Sequence, residues 1–394
     1  MVTGAVLAFT LIVTQAVSVN TVRELAGRGD LEGARKVAEQ LVQATPGNGE
    51  AWYLLGYVRA GLKDFAGAIE AYRSATRTNS GHSDAWNNLG DLLRRTGQVE
   101  EARDAIERGR RVNPKDPRLA LNMALVQTQL RDFKKALAAL DDLEALSGRS
   151  TLTDYLRARA YLEDGQVTPA LPYLERFRSG EPQDPEAFLG LAKLLMSHDA
   201  AIQAADLLLG LKPEKHDTST RFTLGQAFYA MDQMEKARDV FVELAAREPG
   251  KAPYLTWSGH AHRALGSIAQ ARSAYDKALQ IDSSAVDALT GLAGLEVDAG
   301  NSDMAEVQVS RALALAPENP QTLFVAGQVN IRLQRWNTAI ELLNKIKADA
   351  PEYAQAQYML SRAFVQTGDN VRAEAAMAEF KKSSESSKRK PIPE

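Results

Sequence analysis

The sequence predicts an all-α solenoid of about ten to eleven 34-residue helix-turn-helix units, and three observations predict it. Ala34, Ala68, Ala102, Ala136, Ala170 and Ala204 recur every 34 residues; after one step of 33 to Ala237 the spacing resumes through Ala271, Ala305, Ala339 and Ala373. Twelve residues before these marks, from the second unit on, stands a small residue: Gly56, Gly90, Ala124, Ala158, Ala192, Gly225, Gly259, Ala293, Gly327 or Ser361. Twelve residues after six of the marks comes Pro46, Pro114, Pro182, Pro249, Pro317 or Pro351. A period of this length belongs to stacked repeats, because one helix pair cannot bury both of its faces alone.

The stretch Asp84–Pro114 shows how one unit is built. Trp86, Leu89, Gly90 and Leu93 share one face of a first helix, and Ala102, Ile106 and Gly109 share one face of a second. Gly97 breaks the chain between them, and Pro114 ends the unit by pushing the residue before it out of the helical region. Small residues at the Gly90 and Ala102 positions let two backbones approach, and large neighbours such as Trp52, Tyr72, Phe228, Phe241 and Tyr275 fill the remaining space. Replacing Ala102 or Ala271 by Leu overpacks that contact and costs roughly 1–3 kcal/mol.

Trp52, Leu55-Gly56, Phe65, Ala68, Tyr72 and Ala75 resemble, almost position for position, the motif of the tetratricopeptide repeat family. The resemblance runs from about Gln15 to Lys382. It implies a right-handed superhelix whose first helices line a concave groove, and a role in binding extended peptides or folded protein partners.

Along the chain, residues 1–22 carry no charge. Gly4–Val13 is an apolar core and Ala16-Val17-Ser18 offers small residues for cleavage, so residues 1–19 resemble a signal peptide, although no Lys or Arg precedes the apolar run. A membrane anchor over the same residues is a second reading, although Thr10, Thr14 and Gln15 interrupt the run. A third is an imperfect first helix. Thr21-Val22-Arg23-Glu24 has the form of a capping box, which starts a helix near Val22. Residues 20–48 form a partial first unit, 49–217 units 2–6, and 218–382 units 7–11. Full units start at Gly49, Ser83, Pro117, Thr151, Pro185, Thr218, Ala252, Val286, Pro320 and Ala354. The sixth is one residue short, which predicts a bend or loosened joint at 210–219. Residues 383–394 are polar and aperiodic, which predicts a disordered tail.

Composition bounds the function. A net charge of −3 and a pI near 6.1 argue against a nucleic-acid partner. The absence of cysteine excludes disulfides, thiolate metal sites, a cysteine nucleophile and a lipobox-type anchor. No HExxH, Walker-type loop, GxSxG or GxGxxG motif occurs. His260 and His262 are two apart and so point in different directions on a helix. No catalytic residue, cofactor or metal is expected.

The surface of the first helices is left to carry function. By resemblance, the groove positions are Tyr53, Tyr57, Asn87, Asn88, Asp91, Arg94, Arg95, Asn122, Tyr155, Arg159, Phe222, Gln226, Tyr229, Trp257, His260 and Arg263. Tyr, Trp and Arg are enriched at binding hot spots, whereas an aromatic at helical spacing more often serves packing. The quartet Asn87, Asp91, Arg94 and Arg95 is singled out because an apolar core has no use for it; a solvated charged face is the plain alternative. The clamp for chaperone C-termini is disfavoured, since Tyr53 and Tyr57 stand where it needs Lys and Asn. An asparagine ladder like that of O-linked N-acetylglucosamine transferase is unsupported, since only Asn88 and Asn122 match. The lack of catalytic motifs predicts a non-enzymatic scaffold with a protein or peptide partner; the resemblance to tetratricopeptide repeat proteins, with the export-like N-terminus, implies one that is periplasmic or envelope-associated and serves exopolysaccharide secretion, a pilus or an outer-membrane complex. A cytoplasmic adaptor and a substrate-presenting enzyme subunit are the alternatives.

Overall fold

The computed structural model describes residues 17–389; the expectation for the N-terminal segment thus falls, up to residue 16, outside the described residues. Twenty-two α-helices form eleven pairs, repeats 1–11, with one 3₁₀ turn at Pro213–Lys215 and no strand among the described residues. Their first helices are Val19–Gly27, Gly49–Gly61, Ser83–Arg95, Pro117–Gln129, Thr151–Glu163, Pro185–Ser197, Thr218–Ala230, Ala252–Ala264, Val286–Asp298, Pro320–Arg332 and Tyr353–Gln366. Their second helices are Leu31–Ala44, Phe65–Thr78, Val99–Val112, Phe133–Ser147, Val167–Ser179, Ala201–Leu209, Met234–Arg247, Ile268–Ile281, Ser302–Leu315, Trp336–Leu343 and Asn370–Arg389.

Local chemistry explains the boundaries. Between the two helices of every repeat one residue takes a left-handed conformation: Gly29, Lys63, Gly97, Arg131, Gly165, Asp199, Asp232, Gly266, Gly300, Gln334 and Gly368. That conformation ends a helix tightly and favours glycine. Side chains of Asn48, Asp116, Asp184, Asp217 and Asn319 accept backbone N–H groups at the starts of first helices, as N-caps do.

Three sequence expectations are revised. The first described helix starts at Val19 rather than near Val22, because Ser18 is the cap and its hydroxyl accepts from Thr21 N at 3.2 Å. The last helix continues to Arg389, so the stretch expected to be disordered from residue 383 is helical where described; Ser383 Oγ donates back to Glu379 O at 2.8 Å. The segment at 210–219 is a tied turn rather than a loosened joint. Gln183, 9% exposed, donates to Gly210 O at 3.0 Å and to Arg178 O at 3.3 Å and accepts from Lys212 N at 2.9 Å. Lys215 reaches the Gln183 carbonyl, and Leu211 beside them is buried.

The chain divides into two compact units, one up to Phe177 and one from Arg178. Within each unit every second helix packs against the next first helix. First helices also touch the first helix of the next repeat, in repeats 1–2 and 3–4 of the first unit and along repeats 6–11 of the second. No two successive second helices pack to that extent. Elements that approach more closely lie on the inside of a curve, so the first helices line the inner face of each unit. The core follows the alanine marks: ten are fully buried and Ala373 is 5% exposed. A Cβ on Gly56, Gly90, Gly225, Gly259 or Gly327 would sit 2.4–2.8 Å from Tyr72, Ile106, Phe241, Tyr275 or Leu343 on the paired helix. Close backbone approach is therefore what fixes the small residues.

Candidate functional site

In the first unit the inner face is largely occupied with its own hydrogen bonds. Asn122 Nδ2 donates to Asn87 Oδ1 at 3.0 Å, and Asn87 Nδ2 donates to Asn88 Oδ1 at 3.2 Å. Asn88 Nδ2 reaches the hydroxyls of Tyr53 and Tyr72, each at 3.5 Å. Asn87 and Asn122 are only 7% and 8% exposed, so these two predicted contact residues instead join repeats 3 and 4. A buried amide needs such partners, because leaving it unpaired costs the full desolvation of the group. Asp91 accepts from Arg94 Nη2 at 2.8 Å and lies 3.8 Å from Arg95, which also sits over the Phe65 ring. Arg159 donates to Glu163 at 2.6 Å, and the Tyr155 ring packs 5.6 Å from that of Phe177. Tyr53 stacks near the His82 ring at 4.6 Å, while Tyr57 is 52% exposed.

The inner face of the second unit differs. The Trp257 ring lies 5.5 Å from Phe241 at 32°, and Phe241 is fully buried beneath it. Three rings meet Trp257 edge-on: Tyr229 at 5.4 Å and 86°, Phe222 at 6.3 Å and 89°, and His260 at 5.6 Å and 82°. Trp257 is itself half-buried, so part of its surface remains open to solvent. Among the described residues, Trp257 Nε1, the Tyr229 hydroxyl and the Gln226 carboxamide have no hydrogen-bond partner. Trp52 and Trp86, in contrast, donate their Nε1 to Pro46 O and Ser80 O, both at 2.9 Å. Free donors around a flat apolar surface form a site that can both stack and hydrogen-bond.

His260 and Arg263 frame this platform and are already engaged. The Tyr275 hydroxyl and His260 Nδ1 are 2.8 Å apart, and Arg263 Nη2 and Nε reach Asp298 Oδ2 at 2.7 and 2.9 Å. Burial, reinforced by the Arg263 charge, pushes the His260 imidazole down to about 4, so it is neutral at pH 7. No group of His, Cys, Asp or Glu among the described residues is arranged to hold a metal ion. No described helix is long and apolar enough to cross a membrane.

Sequence reasoning passed over the outer side, where second helices face each other across a first helix. Arg157, 5% exposed, donates to Asp141 at 2.7 Å and to Glu144 at 3.2 Å; Asp154, 4% exposed, accepts from Arg176 at 2.9 Å. The signal was present: Arg157 occupies the register of Leu55, Leu89, Leu191, Leu224, Leu292 and Leu360.

The fold is that of a helical-repeat solenoid whose first helices line an inner face. Tetratricopeptide repeat family models match residues 20–83, 155–216, 222–286 and 290–354, and another of that description matches 59–126. The chain belongs to the tetratricopeptide repeat family. Among curated proteins it is 25% identical over 161 residues to anaphase-promoting complex subunit 3 of Schizosaccharomyces pombe, covering 41% of this chain and 24% of that protein. It is 26% identical over 329 residues to cellulose synthase operon protein C of Xanthomonas axonopodis, covering 82% of this chain and 20% of that protein. The chain thus spans about a quarter or less of the length of these relatives. Among solved structures, the C-terminal part of a TPR repeat-containing protein from Cytophaga hutchinsonii matches at a TM-score of 0.50 and 15% identity. That match covers 61% of this chain and 98% of the other, and it bears on fold alone.

Proposed function

We propose that this protein is a non-enzymatic scaffold that holds a protein or extended peptide partner against the inner face of repeats 7 and 8. The observation that carries this reading is the Trp257 platform with its free donors, set against an inner face in the first unit where Asn87, Asn88, Asn122 and the Asp91–Arg94 pair bond one another. Trp257 and Tyr229 supply a stacking surface, Gln226 can pair with a partner's backbone, and Arg263 with Asp298 holds the rim. Arg94, Arg95 and Tyr57 form a secondary contact, where two guanidinium groups share one carboxylate and leave a net positive charge. The partner belongs to a bacterial cell envelope, in an assembly or export machine such as exopolysaccharide secretion, a pilus or an outer-membrane complex. Supporting this setting, cellulose synthase operon protein C of Pseudomonas fluorescens also aligns, at 26% identity over 57% of this chain. The chain acts at the periplasmic side or on the envelope and performs no chemistry itself.

The test is a pull-down from separated envelope and cytosolic fractions of the native cell, with the full-length chain and a Trp257→Ala/Tyr229→Ala variant as baits. The reading expects an envelope protein retained by the first and lost by the second at unchanged helicity. Equal retention by both baits, or retention from the cytosol alone, contradicts it.

A further inference from the structure

The outer side of the repeats carries a trench that recurs at the same register, between successive second helices and above the intervening first helix. Where repeats 2 and 3 meet, the cavity is about 300 Å³. An ion pair from Arg73 to Glu101 at 2.6 Å spans it, and the Arg108 guanidinium lies 5.4 Å over the Trp86 ring. Where repeats 4 and 5 meet, Arg157 and Arg176 tie each wall to the first helix between them, and both guanidiniums lie over Tyr173, at 5.6 and 4.7 Å. In both places the trench holds an aromatic ring beneath a cation.

Between repeats 7 and 8 the cation is present and the ring is not. Lys277 occupies the register of Arg108 and Arg176 and has no ion-pair partner among the described residues. Leu255 replaces Trp86, Ala274 stands where Tyr173 does, Val242 replaces Arg73, and Ser258 takes the register of Leu89. The trench opens to about 410 Å³, no hydrogen bond or ion pair spans it, and Lys277 is the one charged group in its lining. His262, in the register of Leu93 and Tyr161, lines the same trench, and its Nδ1 is buried without a partner. The ring is held below its ordinary pKa by burial and by the Arg238 charge, so it is neutral at pH 7.

We propose that this outer trench docks one aromatic side chain bearing a hydrogen-bond donor, a Tyr or Trp, from a protein partner. Charge complementarity argues for that occupant. Lys277 borders a mostly apolar trench with no carboxylate and, besides the His262 imidazole, no ring in its lining, and the π face of an inserted ring supplies the negative surface. The phenol or indole donor then meets the exposed polar side chains of Gln270 and Ser273 in the same lining. Leu255, Val242 and Ala245 close around the ring's edge. The site is separate from the inner-face platform and does not depend on it.

The experiment titrates the full-length protein with N-acetyl-tyrosinamide, N-acetyl-tryptophanamide and N-acetyl-leucinamide, observing the methyl signals of Ala245 and Ala274 and the His262 ring by NMR. The two aromatic probes should shift these signals saturably, with the leucine probe about tenfold weaker. Ala274→Tyr, which restores the residue of repeat 5, should abolish the shifts. Ser258→Leu, which restores the residue of six other repeats, should do the same if the first variant fails to fold. Lys277→Met should weaken both aromatic probes. No saturable shift, equal binding of the leucine probe, an equal response at Ala105 in the other trench, or binding unaffected by Ser258→Leu each overturns the proposal.

Discussion

Adding one methyl group should have opposite effects at Gly259 and at Gly190, although both lie inside first helices. Gly259→Ala places a Cβ 2.6 Å from Tyr275 Cε1, 2.7 Å from Cδ1 and 2.9 Å from Cζ. Real contacts are not that short, so the ring has to move. It has nowhere to go, because Tyr275 is fully buried and a Cβ on Gly291 would lie 2.7 Å from the same ring. Its hydroxyl is also tied to His260 at 2.8 Å. Overpacking of this kind costs about 1–3 kcal/mol, and the double restraint puts Gly259 in the upper half. Alanine returns about 1 kcal/mol of helix propensity, so the net loss is about 1–2 kcal/mol. At Gly190 nothing lies within 4 Å of the added carbon, and only the propensity gain of about 1 kcal/mol remains. Because repeat arrays unfold in parts, hydrogen exchange should be read repeat by repeat. Amides of repeats 8 and 9 should exchange about 5- to 30-fold faster in the first variant, and those of repeat 6 more slowly in the second. Faster exchange in both variants, or no change at Gly259, would show that close helix approach is not what selects the small residues.

Other expectations follow from the same structure. Arg131→Gly, at a left-handed φ of 59°, should stabilise repeat 4 by roughly 0.5–1 kcal/mol in urea denaturation, while Gly97→Arg should destabilise repeat 3. Asn122→Ala leaves Asn87 Oδ1 buried without its donor and should cost about 1–3 kcal/mol; the Asn87→Leu/Asn122→Leu double variant should lose less than the sum of its single changes, as a double-mutant cycle will show. His260 is neutral in the fold down to about pH 4, whereas the unfolded chain takes up that proton near 6.5. The unfolded state therefore binds more protons between those values, so this contribution to stability is complete above pH 6.5 and lost as the pH falls towards 4. A His260→Gln variant should show a shallower decline of Tm over that window.

Most of the fold could be read from the sequence because the constraint acting on it is local and repeated. Each alanine mark and its glycine or alanine partner twelve residues earlier reports the same backbone contact. First helices accordingly begin at Gly49, Ser83, Pro117, Thr151, Pro185, Thr218, Ala252, Val286 and Pro320, where the count places the units; the last begins at Tyr353, one residue before Ala354. Turns at Lys63, Arg131 and Gln334 are harder to see, since the tight turn between two helices there takes the left-handed conformation on residues that do not favour it. The site was less legible for a different reason. Register places Asn87, Asn122 and Trp257 alike on the inner side, but whether a polar group is free depends on what its own helix or the adjacent repeat offers at about 3 Å. Asn87 finds Asn122, Arg94 finds Asp91, and Trp257 Nε1 finds nothing. Likewise, Ser258 is an unremarkable residue in the sequence, and it opens the outer trench only because Leu255, Ala274 and Val242 are small or short at the same junction.

The central claim is that a partner lies on the Trp257 platform. Its most direct test places a photocrosslinking amino acid at Gln226, at Arg95 and, as an outward control on a second helix, at Lys134 in the full-length chain, and irradiates living cells. The account predicts a discrete adduct with one envelope protein from position 226, a weaker adduct from 95, and loss of the first on Trp257→Ala. An adduct from position 95 with none from 226, or an adduct at 226 that persists in the Trp257→Ala background, contradicts it.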